Sequence, residues 1–400
     1  MKIPYGKQTI DEDDIEAVVK VMKSDWLTQG PDVQEFEEKM ARYVGTRYAV
    51  AFNSGTSALH GAMFAAGIGK GDEIITSPIT FVASANCAVY LGAIPKFADI
   101  NLNTYCINPD KIELAITEKT KAIVPVDLAG YPVDLEKIQQ LAEKYNLTII
   151  EDAAHALGAE RNGEKVGTQA DMTMFSFHPV KHITTAEGGI ITTNSKNYYE
   201  KMLQFRSHGI TKDPEKIEKK DGPWYYEMQT LGYNYRITDI QCALGISQLK
   251  KIDKFIKRRR ELAGRYDEAF KENPLITVPP RPKNHSKPTN SEVFTTSKKV
   301  DDRFSTKHVF HIYPVLLNKR IDQKQVFEKL REKGILCQIH YIPVHHQPYY
   351  RQNFGYTKDQ FPNANAYYNR EITIPLFPKM TDDEQAYVIE TLNNILDQQK

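Results

Sequence analysis

Cysteine is scarce in this 400-residue chain. Cys87, Cys106, Cys242 and Cys337 are far apart and form no CxxC pair, which speaks against a zinc ribbon and a disulfide framework. A reducing cytoplasm suits that usage. No run of about 18 apolar residues occurs, so no helical membrane span is expected. The start, MKIPYGKQTIDEDD, lacks the apolar core of a signal peptide. Net charge is nearly absent too, with 52 basic against 51 acidic residues. That balance argues against nucleic acid or an anionic membrane as the main partner. No G-x-G-x-x-G turn stands between a strand and a helix, which weakens a dinucleotide-binding reading. There is no internal repeat.

What is present points to a large folded core. Hydrophobic residues make up 41% of the chain. The length suits two domains, expected at 1–250 and 251–400. The first half alternates β-rich runs with helical ones. YAVAF (48–52), DEIITS (72–77), KAIVPVDL (121–128) and LTIIEDAA (147–154) read as strands. SALHGAMFAAG (57–67), FVASANCAVYLG (81–92) and LEKIQQLAEKY (135–145) read as helices. Such alternation implies an α/β domain with a mostly parallel sheet covered on both faces. Ligands on these sheets bind at the carboxyl ends of the strands, which selects Asn53–Ser57, Asp127 and Asp152. One helix from about Ile240 to Phe270 is expected to bridge to the second domain. Its KFIKRRR stretch reads as a solvated face. Residues 281–307 are polar and read as a long mobile surface loop. HVFHIYPVLL is then expected as a strand, VFEKLREKG as a helix and ILCQIHYIP as a strand, giving a smaller α+β unit.

Three features carry chemistry. Asp152 ends an apolar strand and could bind a metal, a ribose hydroxyl or a protonated ring nitrogen. With His155 it could equally satisfy a buried bond or cap a helix. NSGTSAL (53–59) joins a strand to a helix, where free N–H groups, Thr56 and Ser57 can cradle a phosphate or simply cap the helix. Lys181 lies in the loop SFHPVKHITTAEGG, one strand-helix-strand excursion beyond Asp152. Ser176 precedes it as a phosphate donor, and Gly188 and Gly189 are expected to let the backbone turn tightly. A lysine that attacks a carbonyl must lose its proton, which burial favours. A phosphate cradle, an acid for a ring nitrogen and a lysine for a carbonyl are together the contacts that pyridoxal phosphate requires.

WLTQGPDVQEFEEKMARYVG, FNSGTSAL, EDAAHALGA, SFHPVKHITTAEGG, LGYNYRITDIQCALGISQLK and HYIPVHHQPYY extend the case along nearly the whole chain. In these blocks the sequence resembles the DegT/DnrJ/EryC1/StrS sugar aminotransferases. That resemblance implies the aspartate-aminotransferase fold (fold type I), with a large pyridoxal-phosphate domain and a smaller C-terminal one. It implies Lys181 as the lysine bound to the cofactor and then as acid and base. It implies Asp152 on the ring nitrogen, His155 against the ring hydroxyl and Phe81 stacked on the ring. Thr56, Ser57 and Ser176 would hold the phosphate, or the sugar nucleotide close to it. Asn234 would reach the phosphate of a neighbouring subunit, making a homodimer with shared sites. Tyr5, Trp26, Leu27, Thr28, His311, Ile312, Tyr313 and Pro314 would line the nucleotide-sugar site. Arg236 is a candidate for a carboxylate or diphosphate, or for a structural ion pair.

Within the family, SFHPVKHITTAEGG and GPWYYEMQTLGYNYR are similar to the members that serve pseudaminic acid synthesis. This implies L-glutamate as amino donor and C4 of a UDP-linked 4-keto-6-deoxy-N-acetylhexosamine as acceptor. The alternatives are a dTDP- or GDP-linked keto sugar, amination at C3, or a sugar dehydratase. Relatives that dehydrate carry histidine in place of the lysine. Here the lysine is present and His182 is its neighbour. A ligand sensor that kept the fold is disfavoured by intact Lys181 and Asp152. No metal is expected: His308 and His311 would face opposite sides of a strand.

Overall fold

The computed structural model describes residues 2–219, 221–281 and 306–399. Seven strands form the central sheet: β1 Tyr48–Phe52, β2 Glu73–Thr76, β3 Ile94–Phe97, β4 Thr120–Val124, β5 Thr148–Asp152, β6 Met172–Ser176 and β7 Gly189–Thr193. Their order is β1-β7-β6-β5-β4-β2-β3. All pairings are parallel except those of β7, which runs antiparallel to both neighbours. The central strands are buried almost throughout, as a sheet covered on both faces requires. One layer holds Phe36, Met40, Phe175, Phe177 and Phe255. The opposite layer holds Leu59, Met63, Cys87, Met172 and Met202.

The strands expected at 48–52, 72–77, 121–128 and 147–154 are all present, most of them shorter than expected. Helices occur at Gly55–Ala65, Ala83–Tyr90 and Leu135–Tyr145. Three expectations about connections fail. No helix lies between Asp152 and Lys181. A short hairpin, Glu160–Arg161 with Glu164–Lys165, leads directly to β6. The expected bridging helix is two helices, Asp239–Leu249 and Ile252–Phe270. At the break Lys251 pairs with Asp11 and, at 2.9 Å, with Asp14. Gly188 and Gly189 do not serve a left-handed turn, since the positive φ there belongs to Ala186 (65°). The glycines permit close approach instead. A Cβ on Gly189 would stand 2.6 Å from Gly55 Cα, and one on Gly188 would stand 2.2 Å from Thr185 Oγ1.

The C-terminal body centres on β8 Ile276–Thr277, β9 Tyr313–Leu317 and β10 Glu371–Ile374, an antiparallel sheet in that order. The chain's start joins it: Ile3–Pro4 pairs in parallel with Ile335–Leu336. The strand expected from His308 begins only at Tyr313. Phe310 has φ 48°, which breaks the extended path. The backbone N–H groups of Val309 and His311 donate to Gly130 (3.2 Å) and Ala129 (2.9 Å) and tie this segment to the large sheet. ILCQIHYIP likewise contains only the two-residue strand Ile335–Leu336. Of the long polar stretch expected as a mobile loop, 282–305 lies outside the described residues.

KFIKRRR is not wholly a solvated face. Arg259 is buried at 1% exposure and donates to the carbonyls of Phe310 (3.3 Å), His311 (2.9 Å) and Leu376 (3.1 Å). It ties three carbonyls of the C-terminal body to the Ile252–Phe270 helix. Arg259→Leu would leave those acceptors unpaired. The expected loss is about 3 kcal/mol or more, read as a lower urea midpoint at unchanged slope.

Candidate active site

The carboxyl ends of β1, β5 and β6 open onto one cavity of about 460 Å³. Ser54, Gly55, Thr56, Asp152, Ser176 and Lys181 line it from the large sheet, and Tyr5, His311, His340 and Tyr341 from the C-terminal side. Three segments remote in sequence therefore meet here, each at the end of a strand.

Asp152 ends β5 and is 5% exposed. Ser84 Oγ donates to its Oδ2 at 2.6 Å, and Ala154 N–H donates to its Oδ1 at 3.2 Å. Thr80 lies 2.7 Å from Ser84 and steadies that donor. Burial pushes the carboxyl's pKa up, while the two bonds and the Lys181 ammonium hold it down. A carboxylate held this way gains from a cation in the cavity. Lys181 is the nearby cation supplied by the chain. Burial pushes its amine down to about 8; Asp152 opposes that shift and Arg259 adds to it. The neutral form that a nucleophilic amine needs is thus far more available than on a free lysine.

His155 is held from both ring edges. Ala129 N–H donates to Nδ1 at 3.3 Å, so the ring proton sits on Nε2 and is given to Tyr341 Oη at 3.1 Å. Burial, then the Lys181 charge, keeps this ring neutral. Tyr341 accepts that bond, which leaves its own O–H for the cavity. His311 packs against His155 with ring centres 4.3 Å apart. Phe81 is 57% exposed at the cavity wall, 6.1 Å from the Tyr341 ring.

At the other end of the cavity, the Gly55–Ala65 helix presents its first turn. Ser54 and Ser57 form its capping box. Ser57 does not face the cavity: its hydroxyl donates to Asn53 Oδ1 (2.7 Å) and accepts from Ser54 N–H (3.0 Å). The cap also takes the Ser57 N–H, so the N–H groups of Gly55 and Thr56 and the Thr56 and Ser176 hydroxyls remain for an anion.

Other residues singled out from the sequence lie elsewhere. Ile312, Tyr313 and Pro314 are buried in the C-terminal body, where Tyr313 donates to Asp267 at 2.5 Å, so they do not line the cavity. Asp127 is buried beneath the strand ends, accepting from Val133 N–H at 2.8 Å. Trp26, Leu27, Thr28 and Asn234 are exposed and Arg236 is half-buried, all outside this cavity's wall. His308 is not on a strand; it stacks on Phe310 and accepts that residue's N–H at 2.9 Å. Sequence reasoning missed Thr80, Ser84 and Tyr341. Only HYIPVHH carried a signal for Tyr341, as a block without an assigned role, and its His340 reads as a core or site-lining histidine sooner than a metal ligand.

An amine, a buried carboxylate and a helix-end anion cradle around one cavity fit pyridoxal phosphate. Asp152 can face its ring nitrogen, Lys181 its carbonyl carbon, and the helix end its phosphate. With this strand order, they define a fold type I pyridoxal-phosphate enzyme.

The comparisons agree. Residues 8–393 match the DegT/DnrJ/EryC1/StrS aminotransferase family, and the chain belongs to it. It is a pyridoxal-phosphate-dependent sugar aminotransferase. Over 403 residues it is 40% identical to the UDP-4-amino-4,6-dideoxy-N-acetyl-beta-L-altrosamine transaminase of Campylobacter jejuni, covering 100% of this chain and 98% of the relative. It is 39% identical to the spore coat polysaccharide biosynthesis protein SpsC of Bacillus subtilis, covering 98% and 97% of the two chains. The solved structure of Helicobacter pylori PseC, an aminotransferase of pseudaminic acid biosynthesis, superposes with TM-score 0.87 at 35% identity over the full length of both chains.

Proposed function

We propose that this enzyme moves an amino group from L-glutamate to C4 of a UDP-linked 4-keto-6-deoxy-N-acetylhexosamine, a step of pseudaminic acid synthesis. The observation that carries the chemistry is the juxtaposition of Lys181 and Asp152 across one cavity. The sugar rests on likeness to the altrosamine transaminase and PseC.

Pyridoxal phosphate, when bound, supplies the electron sink for carbanion charge. Asp152 would hold the ring nitrogen protonated by opposing its charge. Thr56, Ser176 and the helix end would hold the phosphate, and Phe81 would cover the ring. Lys181 would take and return the proton at the donor's Cα, an acid-base role worth about 10²–10⁴-fold when positioned. His155 and Tyr341, joined by their own bond, would orient the ring hydroxyl. A panel of UDP-, dTDP- and GDP-linked keto sugars with glutamate tests the acceptor. Preference for the UDP-linked 4-keto sugar is expected; equal or better turnover of a dTDP- or GDP-linked sugar would overturn the assignment.

The working unit in this reading is a homodimer. Leu231, Trp224 and Met228, in the segment that leads to Asn234, are 71%, 72% and 64% exposed, apolar side chains that a second copy could cover. Asn234 would then complete the partner's phosphate site. Mixing Lys181→Ala with Asn234→Ala subunits should restore activity, because each heterodimer has one site with both residues intact. Inactive mixtures, with subunit exchange confirmed, would exclude shared sites.

A further inference from the structure

We infer that His340, Thr373 and Glu371 form a proton relay opening into the amino-transfer cavity, with His340 as a second acid and base beside Lys181. The inference deepens the aminotransferase reading and rests on it, whichever keto sugar is used.

His340 lines the cavity with Lys181, Tyr5 and Tyr341. Its Nδ1 lies 2.9 Å from Thr373 Oγ1, which lies 2.6 Å from Glu371 Oε1. Glu371 Oε2 accepts the backbone N–H of His340 at 2.9 Å, closing the ring of bonds. Two-residue spacing on β10 puts Glu371 and Thr373 on one face. All three residues are buried. Nδ1 is taken, so Nε2 is the nitrogen left for a ligand.

A hydroxyl has one proton to give, so the row has two arrangements. With Glu371 ionised, Thr373 donates to Glu371, Nδ1–H donates to Thr373, and Nε2 is bare. With Glu371 protonated, the carboxyl donates to Thr373, Thr373 donates to Nδ1, and Nε2 carries the proton. The imidazole is neutral in both. Burial, then the Lys181 charge, pushes His340 down to about 3, so an imidazolium does not form at neutral pH. Burial pushes Glu371 up to about 8, which lets it exchange a proton near the working pH. Apart from Lys181, whose amine titrates in the same range, the other titratable groups around the relay are quiet there. Burial raises the phenols of Tyr5, Tyr105, Tyr341 and Tyr367 and takes the Cys337 thiol to about 12, while His155 is held neutral. Lys181 faces His340, and Arg331 and Arg370 lie on the outer side.

Joining an amine to a ketone forms a C–N bond and breaks a C–O bond, and the oxygen must take up protons to leave as water. In the relay step Nε2–H breaks and an O–H bond forms on that oxygen. The Thr373 proton passes to Nδ1, the Glu371 proton passes to Thr373, and Glu371 is left a carboxylate. Hydrolysis runs the same path backwards. Lys181 is thereby kept for the carbon protons.

Thr373→Val removes the middle hydroxyl at constant shape, and Thr373→Ser keeps it. The valine variant should lose about 10²-fold in kcat with KM little changed, and the serine variant should retain most of the rate. Independently of substrate, ¹⁵N-histidine spectra should show one tautomer switch, from Nε2–H to Nδ1–H, as pH rises through about 8. The signal is assigned by its loss in His340→Asn. Glu371→Gln should lock it as Nε2–H, because the amide must donate to Thr373. Equal rates for the valine and serine variants, or one fixed His340 tautomer in the wild type, would overturn the relay. The spectra need no sugar, so failure of the sugar assignment leaves this test intact.

Discussion

Lys181→Ala is expected to lose activity by at least about 10⁴-fold, because one residue serves as both covalent anchor and proton carrier. The folded protein should persist. Among the described residues Lys181 makes no side-chain hydrogen bond or ion pair, and its loop is held by backbone bonds such as its own N–H to His178 (2.9 Å). Removing a buried amine whose charge burial disfavours relieves a desolvation cost instead of creating one. Binding of the cofactor phosphate, which depends on the helix end and Ser176, should survive in weakened form. The visible absorbance of the lysine-bound cofactor should vanish while free cofactor is still retained on gel filtration. A variant within tenfold of wild type would mean that another amine does the work.

Asp152→Asn should fall by about 10²–10⁴-fold in kcat, since leaving a buried cation unpaired costs about 3–5 kcal/mol and each 1.36 kcal/mol is tenfold. The substitution is close to isosteric. The amide oxygen can still accept Ala154 N–H, and the amide nitrogen can donate to Ser84 Oγ once that hydroxyl turns its proton to the Phe81 carbonyl, so the loss is of charge more than of position. Cofactor content should stay near wild type while both half-reactions slow together. A selective rise in KM with kcat unchanged would show that Asp152 binds and does not tune.

The parts of this site that follow strand ends were legible in the sequence. Asp152 closes the apolar run TIIED, and FNSGTSAL turns from strand to helix, so each motif carries its own local context. Lys181 was legible for its setting, although the path to it was misread: the hairpin at 160–165 has no strong apolar period to mark it. The second wall was not legible. Tyr341 meets His155 across 186 positions, and Ser84 meets Asp152 across 68, pairings no local pattern encodes. Arg259 looked like one more charge in KFIKRRR, yet the helix turns it inward onto three carbonyls. The run at 308–317 is apolar enough for one strand. It fails as one because its first half bonds to the turn at Ala129–Gly130. Ser57 shows the converse: its residue type suits a phosphate, and the helix cap claims it first.

Borohydride reduction of the cofactor-loaded wild type, followed by peptide mapping, tests the central assignment directly. The pyridoxyl mass should fall on the peptide that contains Lys181 and on no other. Its appearance on a different lysine, or on none, would contradict the site described here.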